Sequence, residues 1–467
     1  MIMVQCHITA SLDPTRSEIV AKAAFHLDGE TPTGELTLQL NPNLRVTRVW
    51  LQGDECGFSQ AEDGRVVIGL PASVAEAQPA LKITAETQRA QRKPRKSSVP
   101  SAPLRCDSHP PQRRSAAWES VLEVAYEGRL AQVDAAGEQA RAFINEDFFW
   151  LRDDQFWFPA LADRQEEMLP VPPGRYVVQL HLPAGWEAAA SAPLIRRWQE
   201  GSCECYRWDT QSEYPGMSVV GGQLHRYATG KCTFLWPAPR PDLAEVVLGA
   251  LGFCEALLGP RPCADLTVVL GPGYVPGGYA DRSLIYVGEN RLTARTLAHE
   301  LVHQWWGRGV WAKHHGDRWI TEGLAGYLAL LYAEAQGESV LSETLEQYRE
   351  DYRQAVATWG DKPLAEVGSA DYERTGLVSA LIYKKGVWLH RTLHLLLAEQ
   401  YFPALRDIGA RYCGRSITTA QYIAELADAC PAQREAIAAF EQQWLAAPGL
   451  PGLTNQVGES SEPPDQE

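Results

Sequence analysis

His299-Glu300-Leu301-Val302-His303, followed after eighteen residues by Glu322, is the set in this chain whose residue types and spacing can do chemistry. On an α-helix, two histidines four positions apart stand about 40° from each other on one face, so both imidazoles can reach one metal ion. Glu300 lies beside that face, where its carboxylate can take a proton from a water on the metal. A catalytic zinc takes three protein ligands and keeps a fourth position open. Glu322, in Trp319-Ile320-Thr321-Glu322-Gly323, is the natural third ligand, on the next helical segment. Such a set hydrolyses carbonyl compounds. Water attacks the carbonyl, Glu300 accepts the proton and passes it to the leaving amine, and a further donor, such as a tyrosine hydroxyl, meets the oxyanion.

The neighbours of the motif carry less. His314 and His315, just before Asp317, read as a loop entering a helix cap rather than as extra ligands. Trp305 and Trp306, directly after the helix, read as core packing rather than as a stacking surface.

The elements that must position these residues change in texture near residue 239. Before it the pattern is β. Glu35-Leu36-Thr37-Leu38-Gln39-Leu40, Arg65-Val66-Val67-Ile68-Gly69-Leu70, residues 176–182 and residues 232–236 alternate and end in turn residues. A large antiparallel sheet domain over 1–238 is the expectation. After it, residues 242–258, 292–306, 318–336, 339–357 and 376–398 read as helices, and Gly307 and Gly337 follow the second and third. Residues 266–270 and 284–287 read as strands flanking a Gly-rich loop, 271–278. An α+β domain over 239–452 is the expectation, with a polar, disordered tail at 453–467. There is no internal repeat.

Composition narrows the rest. Hydrophobic residues make up 45% of the chain and charged residues 22%, an ordinary soluble balance. The net charge of −15 argues against general nucleic-acid binding. Eight basic residues against Asp107 alone are concentrated in 88–115, a stretch without apolar period that reads as a disordered loop, or else as a docking patch for an acidic partner. No run is long and apolar enough to span a membrane. The ten cysteines are scattered, the start of the chain lacks an export-signal pattern, and buried free thiols in a reducing, cytoplasmic compartment follow.

The strings His299-Glu300-Leu301-Val302-His303-Gln304-Trp305-Trp306-Gly307 and Trp319-Ile320-Thr321-Glu322-Gly323-Leu324-Ala325 resemble the gluzincin aminopeptidases, the aminopeptidase N and leukotriene hydrolase family. The resemblance continues in Phe156-Trp157-Phe158-Pro159 and in Gln443-Trp444 through Pro448-Gly449-Leu450-Pro451, so it covers most of residues 1–452. It implies an N-terminal β domain, a thermolysin-like α+β catalytic domain, and one zinc ion held by His299, His303 and Glu322. It further implies Glu300 as the base, with Tyr383, in Tyr383-Lys384-Lys385-Gly386, as the oxyanion donor. The activity implied is peptide hydrolysis.

Two departures from the family pattern stand out. The family carries Gly-x-Met-Glu-Asn upstream of the motif helix, and its Glu binds the substrate's free α-amine. Here the segment reads Gly277-Gly278-Tyr279-Ala280-Asp281, with Ala280 at the Glu position. The backbone of Gly277, Gly278, Tyr279 and Ala280 is expected to align a peptide by strand addition. Asp281 is expected on the opposite face of the strand, and Glu146 is a substitute carboxylate. Longer members also carry a C-terminal helical domain over the cleft, so the site here is expected to be open or covered by a partner subunit. The rival readings are an endopeptidase or non-peptide hydrolase on the same fold, and a zinc-bearing scaffold with little turnover.

Overall fold

Strict alternation in the first strand, Ile2–Asp13, sends Cys6, Ile8, Ala10 and Leu12 into an apolar core. Tyr176, Val178, Leu180 and Leu182 do the same on the strand Pro173–Pro183. These two strands lie side by side at the centre of a nine-stranded sheet. The computed structural model describes residues 2–28, 34–70, 120–131, 142–161, 171, 173–273, 277–338 and 340–450. The basic stretch 88–115 and the tail 453–467 lie outside the described residues.

The large sheet runs Leu194–Glu200, Cys203–Asp209, Pro173–Pro183, Ile2–Asp13, Glu18–Asp28, Ser120–Arg129, Leu44–Leu51, Asp54–Glu55, and its ninth strand, Tyr214–Pro215, pairs with Pro173–Pro183 off this path. It departs from the expected all-antiparallel arrangement at its middle, where Ile2–Asp13 and Pro173–Pro183 pair in parallel with Ile8 beside Val178. Two smaller four-stranded sheets belong to the same half of the chain.

The strands His225–Thr229 and Cys232–Trp236, grouped with the N-terminal β region on sequence, pair instead into a five-stranded mixed sheet. In it they precede Leu266–Gly271, Leu284–Gly288 and the edge strand Gly278–Asp281. Cys232, Phe234 and Trp236 accordingly pack with the helices that follow. Those helices are Pro241–Leu258, the motif helix Ala294–Val302, Leu324–Ala335, Leu341–Trp359, Lys385–Leu397, Tyr401–Tyr412, Thr419–Ala429 and Arg434–Phe440.

A third core joins the two halves. Phe148, Trp150 and Val220 from the β half pack on Leu235, Val269 and Tyr286 of the five-stranded sheet. The Trp150 and Tyr286 ring centres are 4.4 Å apart. This joint places the edge strand Gly278–Asp281 against the motif helix.

Candidate metal centre and active site

The motif helix is only nine residues long and starts at a true cap, with the Thr293 hydroxyl accepting the Thr296 N–H at 3.0 Å. His299 stands in its last turn and His303 is the residue that ends it. Their Nε2 atoms are 3.2 Å apart, and Glu322 Oε2 lies 3.5 Å from the first and 3.4 Å from the second. Three ligands on a tetrahedral ion with bonds of about 2.0–2.1 Å stand about 3.3 Å from one another. The triangle therefore fits zinc without rearrangement. Side chains of His299, His303 and Glu322 are 24%, 12% and 13% exposed, which leaves a solvent-facing side for a fourth position. His303 Nδ1 lies 2.9 Å from the Trp306 carbonyl. A carbonyl only accepts, so Nδ1 carries the proton and the Nε2 lone pair faces the other two ligands.

Glu322 and Tyr383 each sit in a wide π-helical turn, Trp319–Gly323 and Ser379–Lys384, at the head of an α-helix. Such turns interrupt the regular ladder and recur at functional sites. The first turn meets the start of the helix that follows the second through glycines: a Cβ on Gly323 would stand 2.5 Å from the Gly386 carbonyl carbon. Buried His390 supports the first turn, its Nε2 within 3.0 Å of the Ile320 carbonyl and 3.2 Å of that of Trp319. Burial lowers the His390 pKa to about 3, so the ring is neutral.

Arg318 ties the ligand to the tyrosine. Its Nη2 donates to Glu322 Oε1 at 2.8 Å and to the Tyr383 hydroxyl oxygen at 2.9 Å, and Nη1 donates to the Tyr372 hydroxyl oxygen at 2.8 Å. Burial opposes ionisation of Glu322, but the surrounding charges, the Arg318 guanidinium among them, outweigh it and hold the carboxyl well below its ordinary range. Burial and the Glu322 charge push the Tyr383 phenol up against the pull of Arg318. Tyr383 thus keeps its proton. Because Arg318 occupies a lone pair, the O–H is left to donate.

Glu300 is buried against the edge strand. A Cβ on Gly278 would stand 2.5 Å from its Oε1, so any larger residue there would push the carboxylate aside. Burial raises the Glu300 carboxyl to about 7, with His299 pulling it down, Glu322 pushing it up, and Arg308 and Arg152 pulling down from farther away.

A model of the peptidase family M1 domain matches residues 280–444. This part of the chain is a peptidase family M1 domain. Aminopeptidase O of Rattus norvegicus is 26% identical over 281 residues, 53% of this chain and 34% of the relative. Leucine aminopeptidase 2 of Eremothecium gossypii is 27% identical over 231 residues, 45% of this chain and 37% of the relative. The chain thus spans about a third of the length of these curated relatives. Among solved structures, an M1 zinc metallopeptidase from Deinococcus radiodurans superposes with a TM-score of 0.68 at 16% identity, covering 97% of this chain and 96% of that one. Native yeast LTA4 hydrolase gives 0.68 at 15%, covering 97% and 69%. These two likenesses establish the two-domain fold.

Behind its edge strand the M1 domain meets the β half in a buried polar joint. Tyr279 OH donates to Asp153 Oδ1 at 2.9 Å, and Tyr214 OH donates to Asp281 Oδ1 at 2.8 Å. Arg308 donates through Nε to the Ala280 carbonyl at 2.7 Å and brings Nη1 to 3.6 Å from Asp281 Oδ1. Arg152 lies 4.2 Å from the Tyr279 ring centre and is paired with Asp154. Burial, and then the Asp281 charge, raise Asp153 to about 7.

Side-chain alternation on Gly278–Asp281 follows the expectation. Gly278 and Ala280 face the motif helix and its core, and Tyr279 and Asp281 face the β half. Gly277 has φ +78°, the left-handed turn that leads into the strand. Glu146 is exposed and lines a surface hollow with Pro14, Thr15 and Arg129, so it does not substitute for a carboxylate at Ala280. His314 is exposed, His315 lies against the Tyr372 ring, and the Asp317 carboxylate accepts the His314 N–H at 3.0 Å. Trp305 and Trp306 are buried. Sequence reasoning missed Arg318, Tyr372, Arg308 and Asp153. Only Arg318 carried a signal, being four residues before Glu322 on a helical stretch.

Proposed function

We propose that this chain is a zinc-dependent metallopeptidase of the aminopeptidase type. The observation that carries the reading is the 3.2–3.5 Å triangle of His299, His303 and Glu322 ligand atoms. A zinc ion held there supplies Lewis-acid polarisation of the scissile carbonyl and a water of lowered pKa. Glu300 is the base. It faces the same cleft, and a carboxyl raised to about 7 can both take a proton from the attacking water and return it to the leaving amine. Tyr383 donates its O–H to the oxyanion, and Arg318 fixes Tyr383 and Glu322 together. The peptide lies along Gly277, Gly278, Tyr279 and Ala280, the edge of the five-stranded sheet. The nine free cysteines among the described residues support a reducing, cytoplasmic compartment. No helix among the described residues is long and apolar enough to cross a membrane.

Glu300→Gln tests the mechanism. It is expected to retain zinc and to lose about 10²–10⁴-fold in kcat; turnover at the wild-type rate would falsify the assignment. Aminopeptidase action is tested separately by comparing free-amine and N-acetylated peptides. Acetylation should abolish cleavage. Equal cleavage of both would move the activity to an endopeptidase, since Ala280 offers no carboxylate to an ammonium group.

A further inference from the structure

The outer face of the nine-stranded sheet, away from the M1 domain's metal centre, carries a second convergence of metal-binding atoms. His181 and Cys205 are direct cross-strand partners, and Trp198 on the next strand is in register with Cys205. Tyr206 and Trp208 on the Cys205 strand go into the core, so Cys205 points outward by alternation, although neighbouring side chains cover it fully. His181 Nδ1 is 3.4 Å from Cys205 Sγ. Glu200, two residues beyond Trp198, brings its carboxylate into the group, and one ligand atom from each of the three residues lies within 4.8 Å of the others.

Each of the two polar ligands is already oriented. The Gln179 amide sits 3.0 Å from His181 Nε2, which engages the far ring nitrogen and leaves Nδ1 toward the thiol. Trp198 Nε1 donates to Glu200 Oε2 at 3.4 Å. Partners of this kind, behind the ligands, are what fix a metal site's geometry. A sulfur, an imidazole nitrogen and a carboxylate oxygen select a borderline-soft divalent ion of the zinc class over calcium or magnesium.

We propose that His181, Cys205 and Glu200 bind a second zinc-class ion, with water in its fourth position, tying three adjacent strands of the β half. As the sulfur–metal bond forms, the Cys205 thiol proton is released to solvent. The site does not depend on the peptidase reading, because the two ligand sets share no residue.

The test is metal titration of the full, metal-stripped chain with Zn²⁺ alone and with Co²⁺ alone. Two ions per chain are expected. The cobalt form should show a thiolate-to-metal charge-transfer band, which His299, His303 and Glu322 cannot give. Cys205→Ser should remove that band and one ion while leaving peptide turnover unchanged. Glu200→Gln, at an exposed position that folding tolerates, should weaken the second ion by at least about tenfold. A wild type without a thiolate band, or a thiolate band that survives Cys205→Ser, overturns the proposal. Failure of the peptidase reading would appear instead as turnover and metal content left unmoved by changes at His299, with the Cys205 band intact.

Discussion

Arg318 and Arg308 are both half-buried among carboxylates and tyrosines, the first at the metal ligands and the second behind the edge strand, yet their surroundings reach opposite charge balances. Around Arg318 one guanidinium serves one carboxylate, Glu322, and two phenols, Tyr372 and Tyr383. The acid there is held well below its ordinary range. Around Arg308 one guanidinium faces two carboxylates, Asp281 and Asp153, because the nearby Arg152 is taken up by Asp154. Asp281 Oδ2 is buried without a hydrogen bond, and burial and the Asp281 charge push Asp153 up to about 7. The same residue types thus give a permanently ionised metal ligand on one side and a proton-holding joint on the other. The ratio of cations to acids decides which.

The comparison is broken most severely by removing the Arg308 cation. Arg308→Met leaves Asp281 and Asp153 buried without a counter-charge and takes away the donor to the Ala280 carbonyl. A stability loss of about 3–5 kcal/mol is expected, read as a drop in the urea midpoint of the intact chain. An unchanged midpoint would mean that Arg308 carries no weight in the joint. On the other side, Tyr383→Phe removes one hydroxyl and leaves the Arg318–Glu322 pair in place. It should lower kcat by about 10²–10³-fold with little change in KM or zinc content. A change confined to KM would assign Tyr383 to binding.

Much of this was legible in the sequence, and unevenly so. The histidines and Glu322 could be located because a helical period and an eighteen-residue spacing are local facts, and the fold brings them within 3.5 Å. The face alternation of Tyr279, Ala280 and Asp281 was legible for the same reason. The helices 318–336 and 376–398 were legible as helices, but their wide turns were not. Those turns depend on the Gly323–Gly386 contact and on His390, which come from segments sixty or more residues apart in the chain. The placing of Cys232–Trp236 in the five-stranded sheet was hidden, since a strand's own pattern does not name its neighbour. Arg308 and Asp153 carried no pattern at all. Their partnership exists only across the two halves.

Arg318→Lys sharpens the ligand side without removing charge. A lysine amine cannot present the planar fork that reaches Glu322, Tyr383 and Tyr372 together. Zinc affinity or turnover should fall by about 10–100-fold, measured by competition with a chelator and by kcat. Wild-type values for both would show that charge alone, not the fork, holds the ligand and the tyrosine.

The smallest effect tests the proton on Asp153. An aspartate in an unfolded chain titrates near about 3.9, and in the fold Asp153 titrates at about 7. Between these values the folded chain binds one more proton than the unfolded chain. The contribution of Asp153 is therefore fully present below about pH 4 and is lost as the pH rises to about 7, at no more than about 1.4 kcal/mol per pH unit. Asp153→Asn keeps an acceptor for Tyr279 and Ser218 and cannot ionise. Its stability relative to the wild type should rise between about pH 5 and about pH 8, with the sign opposite to that of an acid held ionised by a salt bridge. Parallel urea midpoints for the two proteins across that range would place an ionised Asp153 in the joint and remove the contrast with Glu322.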